Sequence, residues 1–160
     1  MNMIKQIISL ILPVTVLVIV PLSIEPDWKI AFGWSTIPGS ALILSGLAIM
    51  AVTISLFIRL GRGTLAPWSP TQKLVIAGPY RYVRNPMILG VLTVLLGEAA
   101  CTGSTRLLIW AALFFTINSI YFILYEEPDL EERFGKPYTD YKQQVSRWIP
   151  RLRPFTAKPD

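Results

Sequence analysis

Four apolar runs divide the 160-residue chain, at about residues 4–24, 40–60, 86–100 and 106–125. Three of them approach the roughly 20 residues that an α-helix needs to cross a bilayer. The third run is shorter, so it must tilt, thin the bilayer locally or pair tightly with its successor. The pattern predicts an all-α integral membrane bundle of about four transmembrane helices with a cytoplasmic C-terminal helical tail, in a single domain.

Local signals refine these spans. Pro13 removes a backbone hydrogen bond in the first run and predicts a kink there. Asn85 and Pro86 are typical of an N-cap followed by the first residue of a helix. Glu98, late in the third run, is predicted to reach the membrane interface as a snorkelling carboxylate. Close approach of a neighbouring helix to the second run is predicted from four small residues, Ser45, Gly46, Ala48 and Ala51.

The positions of lysine and arginine orient the spans. Of the 15 basic residues, all but Lys29 and Arg106 lie at the N-terminus, at the exit of the second run, in the loop 61–85 or in the tail. By the positive-inside rule, both termini and this loop are predicted to face the cytoplasm, as in a prokaryotic inner membrane. The net charge of +5 therefore indicates contact with membrane lipids, and we expect no nucleic-acid partner.

Composition excludes several classes of chemistry. The mean hydropathy is +0.50 and only 16% of the residues are charged, which favours a bilayer over a soluble domain. Histidine is absent and Cys101 is the only cysteine. A Ser-His-Asp triad and an intramolecular disulfide are thereby excluded, and no metal site is expected.

Two polar motifs flank the third and fourth runs. The first, GPYRYVRNPM at residues 78–87, leads into the third run, and the second begins with Glu126 and Glu127 at the end of the fourth. A very short turn, CTGST, joins the two runs, so their other ends should be neighbours. We therefore expect Arg84 to face the two glutamates across a small gap on the cytoplasmic side.

These residue types suit a zwitterionic ligand with an adenosine-like part. Arginine grips a carboxylate through paired hydrogen bonds, and free amides at the helix start beside Asn85 favour an anion. A glutamate accepts hydrogen bonds from ribose hydroxyls or from an ammonium group. Tyr80 and Tyr82 offer rings that stack on a base or a cation. Structural alternatives stay open: interfacial anchoring by the tyrosines and arginines, and a salt-bridged surface helix in the tail.

The two motifs together resemble a known superfamily. GPYRYVRNPMILG, followed by EEPDLEERFGKPYTDYKQQVSRWIP, resembles the isoprenylcysteine carboxyl methyltransferases and phospholipid methyltransferases, which are integral-membrane enzymes that use S-adenosylmethionine and lack a Rossmann domain. Their pattern is roughly G-x-Y-x-x-x-R-H-P-x-Y-x-G, then E-E-x-x-L, F-G and Y-x-x-Y. The resemblance covers about residues 74–150, and it implies a cofactor region over 72–150.

The resemblance, together with the charge argument for Arg84, implies a set of cofactor-binding residues. They are Gln72, Lys73, Leu74, Val75, Tyr80, Arg84, Asn85, Pro86, Met87, Ile88 and Glu126. Arg84 and Glu127 are the candidates for catalytic roles.

Three positions depart from the superfamily pattern. The family histidine is Asn85 and the family tyrosine is Ile88, so a histidine base is excluded there. A substrate-binding arginine of the prenylcysteine enzymes corresponds to Phe122, which disfavours prenylcysteine as the substrate.

The resemblance implies S-adenosylmethionine-dependent methyl transfer to a lipophilic or membrane-associated acceptor at the cytoplasmic face. Two alternatives stay open at this point. One is an NADPH-dependent membrane reductase of the sterol-reductase type, and the other is a catalytically inactive membrane protein that retains the fold.

Overall fold

The computed structural model describes residues 11–31, 33–56, 59–60 and 74–156, which contain helices and connecting segments and no strand. The predicted span residues 4–10 and 57–58 and the loop 61–73 lie outside the described residues. The helices are α1 (Ile11–Ile24), α2 (Thr36–Leu56), α3 (Pro86–Thr102), α4 (Thr105–Phe134) and α5 (Lys136–Gln144).

The all-helical prediction is confirmed over the described residues. By length and composition, α2 and α4 are long and apolar enough to cross a membrane, whereas α1 and α3 are shorter apolar helices. Among the described residues, two of the four predicted spans are therefore candidate membrane spans. The predicted helical tail continues through α5 to Gln144, and residues 145–156 are not helical.

Among the described residues, α1 and α4 each contain a π-helical turn, and in both helices a proline lies two residues after the last residue of the turn. In α1 the turn covers Thr15–Ile19 and the amide of Val20 donates to the carbonyl of Thr15. In α4 it covers Phe122–Glu126 and the amide of Glu127 donates to Phe122. Pro21 and Pro128 directly follow these donors. Because proline has no backbone N–H, it cannot make the regular i→i−4 hydrogen bond, and the helix accommodates this with a wider turn.

Helices α2 and α3 pack backbone against backbone. A Cβ atom on Gly46 would lie 2.6 Å from the carbonyl oxygen of Gly90, and one on Gly97 would lie 2.6 Å from that of Gly39. Gly46 thus behaves as the sequence predicted. Ser45, Ala48 and Ala51 are exposed, so their prediction was wrong: the buried face of α2 follows the helical period through Gly39, Gly46, Met50 and Thr53.

Helices α3 and α4 form the predicted hairpin. Gly103 adopts a left-handed conformation with φ of 67° after α3, and the Ser104 hydroxyl accepts a hydrogen bond from the amide of Leu107 at 3.4 Å. The indole of Trp110 donates to the carbonyl of Val16 at 3.2 Å, which joins α1 to α4. The shared apolar core consists of Met50, Val91, Val94, Leu95, Ala111 and Phe114.

Glu98 does not reach a surface. Its side chain lies on the same face of α3 as Val91, Val94 and Leu95, and only 8% of the residue is exposed. The prediction of a snorkelling carboxylate was wrong because helical periodicity places position 98 in line with these core residues.

The close contact between α2 and α3 generates a stability prediction. Gly46→Ala adds a methyl group against the α3 backbone, and overpacking of this kind costs about 1–3 kcal/mol. We expect a lower midpoint of thermal unfolding in detergent, measured as the loss of monodisperse protein after heating. Ser45→Ala, on the exposed face of the same helix, is the matched control and should leave the midpoint unchanged. Equal midpoints for the two variants would contradict the packing described.

Candidate functional site

The hairpin brings the two predicted motifs together at one end of the bundle. Arg84, just before α3, places Nη1 2.9 Å from Oε1 of Glu127 in α4, and the two side chains are 10% and 5% exposed. The prediction that Arg84 meets the acidic pair is therefore confirmed. The partner is the second glutamate of the pair.

Glu127 is the centre of a larger ion-pair network. Its Oε1 accepts a hydrogen bond from Nε of Arg147 at 2.6 Å, and its Oε2 lies 3.2 Å from Nζ of Lys142. Lys142 also reaches Oε1 of Glu131 at 2.5 Å. The hydrogen bond to Glu131, with a smaller contribution from Glu127, raises the pKa of Lys142. The hydrogen bond to Glu127 raises the pKa of Arg147. The cations therefore stay protonated, and one buried carboxylate balances several of them.

The π-helical turn decides which glutamate is buried. An additional residue in a turn rotates everything that follows by about 100° relative to a regular helix. Glu126, the last residue of the turn Phe122–Glu126, is half-buried, whereas Glu127, the first residue beyond the turn, is buried. Among the described residues Glu126 makes no hydrogen bond or ion pair, so its carboxylate is uncommitted.

Three tyrosines line the polar side of the network. The hydroxyl of Tyr141 donates to the carbonyl of Tyr80 at 2.5 Å, and Nη1 of Arg84 donates to the hydroxyl of Tyr138 at 3.4 Å. Burial raises the pKa of each of the three phenols above its ordinary value. They consequently stay neutral near pH 7 and cannot act as phenolate bases.

Two further polar groups beside α3 are uncommitted. Nε of Arg84 is buried and has no hydrogen-bond partner in the described part of the chain. Asn85 occupies the N-cap position, as predicted, but its side chain forms no capping hydrogen bond. An unpartnered guanidinium N–H is costly to bury, so a ligand that accepts from it would recover that cost. Together with Glu126, these groups form the candidate ligand-binding edge.

The remaining predicted cofactor residues lie at different depths. Leu74 packs against the cluster of Tyr138, Tyr141, Val145 and Phe155, and Val75 is buried nearby in sequence. Pro86 is buried, Met87 is half-buried, and Ile88 packs against the apolar core between the helices. Gln72 and Lys73 lie outside the described residues.

Sequence reasoning missed Lys142 and Arg147 as partners of Glu127. They approach it only because α5 and the segment after it fold back on α4, which no periodicity predicts. Tyr138 and Tyr141 did carry a signal, since they match the Y-x-x-Y element of the superfamily pattern. Within the described residues, no three side chains among His, Cys, Asp and Glu are grouped so that they could hold a metal ion.

Comparison with known proteins agrees with the resemblance. A family model described as Phospholipid methyltransferase matches residues 34–137, which include α2, α3 and α4. Methanethiol S-methyltransferase 2 of Bradyrhizobium diazoefficiens is 34% identical over 76 residues, or 46% of this chain. The aligned part covers 27% of that protein, so the chain spans about a quarter of its relative's length.

The network around Glu127 yields a matched pair of variants. Glu127→Gln removes the charge shared by Arg84, Lys142 and Arg147, and leaving buried charge unpaired costs about 3–5 kcal/mol. Asp129→Asn in the same helix breaks an exposed pair with Arg133 and should cost only about 0–1 kcal/mol. Unfolding midpoints in detergent measure the difference. A Glu127→Gln protein as stable as Asp129→Asn would show that the buried network does not stabilise the fold.

Proposed function

The chain belongs to the phospholipid methyltransferase family, and we propose that it transfers a methyl group from S-adenosylmethionine to a membrane-associated acceptor at the cytoplasmic face. The observation that carries the proposal is the pairing of Arg84 with Glu127, which brings Arg84, with its uncommitted Nε, beside an acidic pair that lies 43 residues away in the chain. Family and relative both indicate a membrane methyltransferase.

The residues of the candidate edge fit this cofactor in charge and hydrogen bonding. Arg84 Nε would donate to the carboxylate of the methionine part, and the side-chain amide of Asn85 would support the same group. Glu126 would accept from the ammonium group or from the ribose hydroxyls. Glu127 already neutralises Arg84 and holds it in place, so little conformational entropy remains to be lost when a ligand binds.

The bound cofactor supplies an electrophilic methyl group carried on a positively charged sulfur. The chain's own contribution is to hold the acceptor in line and to exclude water, because this substitution depends mainly on alignment. Few groups can act as a base: the chain has no histidine, the three phenols are neutral, and Glu127 is bound to cations. Among the described groups of the candidate edge, Glu126 is a carboxylate that is free to receive a proton.

This shortage of bases argues against an amine acceptor and is compatible with a thiol. A thiol of pKa about 8.5 ionises appreciably near neutral pH, whereas an alkylammonium of pKa about 10.4 needs a base. In such a transfer Glu126 or solvent would take the thiol proton, and the thiolate sulfur would form the new S–C bond to the methyl group as that group's bond to the donor sulfur breaks. The relative's name also specifies a thiol acceptor.

The sterol-reductase alternative has no comparable support, because the family match and the relative both concern methyl transfer. A thermal-shift comparison of S-adenosylhomocysteine with NADPH in detergent separates the two. Stabilisation by NADPH alone would favour the reductase. Affinity for S-adenosylhomocysteine without turnover on any acceptor would favour an inactive protein that retains the fold.

Cofactor binding gives a direct test of Glu126. Glu126→Gln removes a charge-assisted hydrogen bond, worth about 1.5–3 kcal/mol, so we expect S-adenosylhomocysteine to bind about tenfold or more weakly in isothermal titration. Glu132→Gln, an exposed glutamate of the same helix, should bind like the parent. The unfolding midpoint of each variant reports any general loss of structure. Parental affinity in Glu126→Gln would overturn the assignment of this residue.

Acceptor class is tested by two matched probes. We expect radiolabelled methyl transfer to the octyl ester of N-acetylcysteine, with a rate that rises about tenfold per pH unit below the thiol pKa of about 8.5. The octyl ester of Nα-acetyllysine should accept no label under the same conditions. Labelling of the amine probe at a comparable rate would contradict a thiol acceptor while leaving methyl transfer itself established.

A further inference from the structure

Residues 147–155, here called the C-terminal arm, follow α5 without forming a helix, and two backbone hydrogen bonds hold the arm to the segment before α3. The amide of Arg151 donates to the carbonyl of Tyr82 at 2.9 Å, and the amide of Phe155 donates to that of Arg81 at 2.8 Å. The ring of Phe155 is buried against Tyr141. The arm is therefore a fixed part of the fold, and the exposure of its side chains is a property of the folded protein.

Trp148 places the arm beside the apolar part of α4. Its ring centroid lies 5.1 Å from that of Phe115 and 5.7 Å from that of Phe122. At 1.5 Å per residue, the point midway between these two phenylalanines lies about 10 Å along α4 from Tyr125, where the apolar run ends. The arm thus reaches past the polar end of α4 to the level of its apolar segment.

Two large apolar side chains of the arm face outward. Ile149 is 75% exposed and Leu152 is 99% exposed. Ile120 and Leu124, in the same stretch of α4, are also apolar and exposed, although helical periodicity places them on a different side of the helix from Phe115 and Phe122. Arg153 is exposed and, within the described residues, makes no hydrogen bond or ion pair.

We propose that the C-terminal arm is a membrane-interface anchor for anionic lipid. Ile149 and Leu152 insert among the acyl chains next to α4, and Arg153 binds the phosphates of anionic headgroups. Apolar side chains interleaved with arginine are the composition of segments that lie in the interfacial plane of an anionic membrane. Trp148, which packs against Phe115 and Phe122, fixes the depth of the arm relative to α4. This inference does not depend on which acceptor is methylated.

Site-directed fluorescence on the full chain tests the insertion. We label Leu152→Cys with an environment-sensitive fluorophore in single-protein nanodiscs of phosphatidylcholine and phosphatidylglycerol in equal parts. Asp140→Cys, on the exposed side of α5, is the matched control. The parent protein, treated with the same fluorophore, shows whether the buried Cys101 takes up any label. We expect nitroxide-bearing lipid to quench the label at position 152 several-fold more strongly than the control, and aqueous iodide to do the reverse. Equal iodide quenching at both positions would overturn the proposal.

A second set of measurements tests the preference for anionic lipid. Arg153→Glu in the Leu152→Cys background should lose lipid quenching in the mixed discs and change little in pure phosphatidylcholine. A label that is shielded from iodide but not quenched by lipid would show that protein covers the arm, which also contradicts the proposal. Because both side chains are exposed, the substitutions should leave the unfolding midpoint unchanged, and that measurement accompanies each variant.

Discussion

A single buried carboxylate, that of Glu127, organises the polar end of this protein. It contacts Arg84 before α3, Lys142 in α5 and Arg147 after α5, so three separate parts of the chain converge on two oxygen atoms. Burying this charge is costly, and the cost is offset only while the cations remain in contact. The positions of α5 and of the C-terminal arm relative to the bundle therefore depend on this side chain, together with the backbone hydrogen bonds from the arm to Tyr82 and Arg81.

The π-helical turn in α4 determines the position of the Glu127 carboxylate. Pro128 cannot donate to the regular helical ladder, and the π-helical turn before it changes the rotational phase of the residues that follow. The apolar segment can then face lipid and the bundle, while the polar end turns Glu127 inward. A continuous helix of 30 residues thus serves two environments that require different faces.

The sequence predicted the features that depend on local pattern. Helical character followed from the apolar runs, and the meeting of Arg84 with the acidic pair followed from the short turn between α3 and α4. It did not distinguish Glu126 from Glu127, because the extra residue in the π-helical turn alters the phase on which such an assignment relies. Nor did it find Arg147, which approaches Glu127 from 20 residues away after the chain has reversed direction. Glu98 was misplaced for a different reason: its charge suggested a surface, whereas its position in the helical period placed it in the core.

Adjacent glutamates thereby take opposite roles in one motif. Glu127 is saturated by cations and serves the structure, so its carboxylate is a poor proton acceptor. Its neighbour Glu126 is left without partners among the described residues, half-buried at the same end of the bundle. Saturation of Glu127 also leaves Nε of Arg84 as a donor whose orientation is already determined. The candidate ligand-binding edge, with one fixed cationic donor and one uncommitted carboxylate, would complement the zwitterionic cofactor proposed for it, and its scarcity of bases would favour an acceptor that ionises unaided.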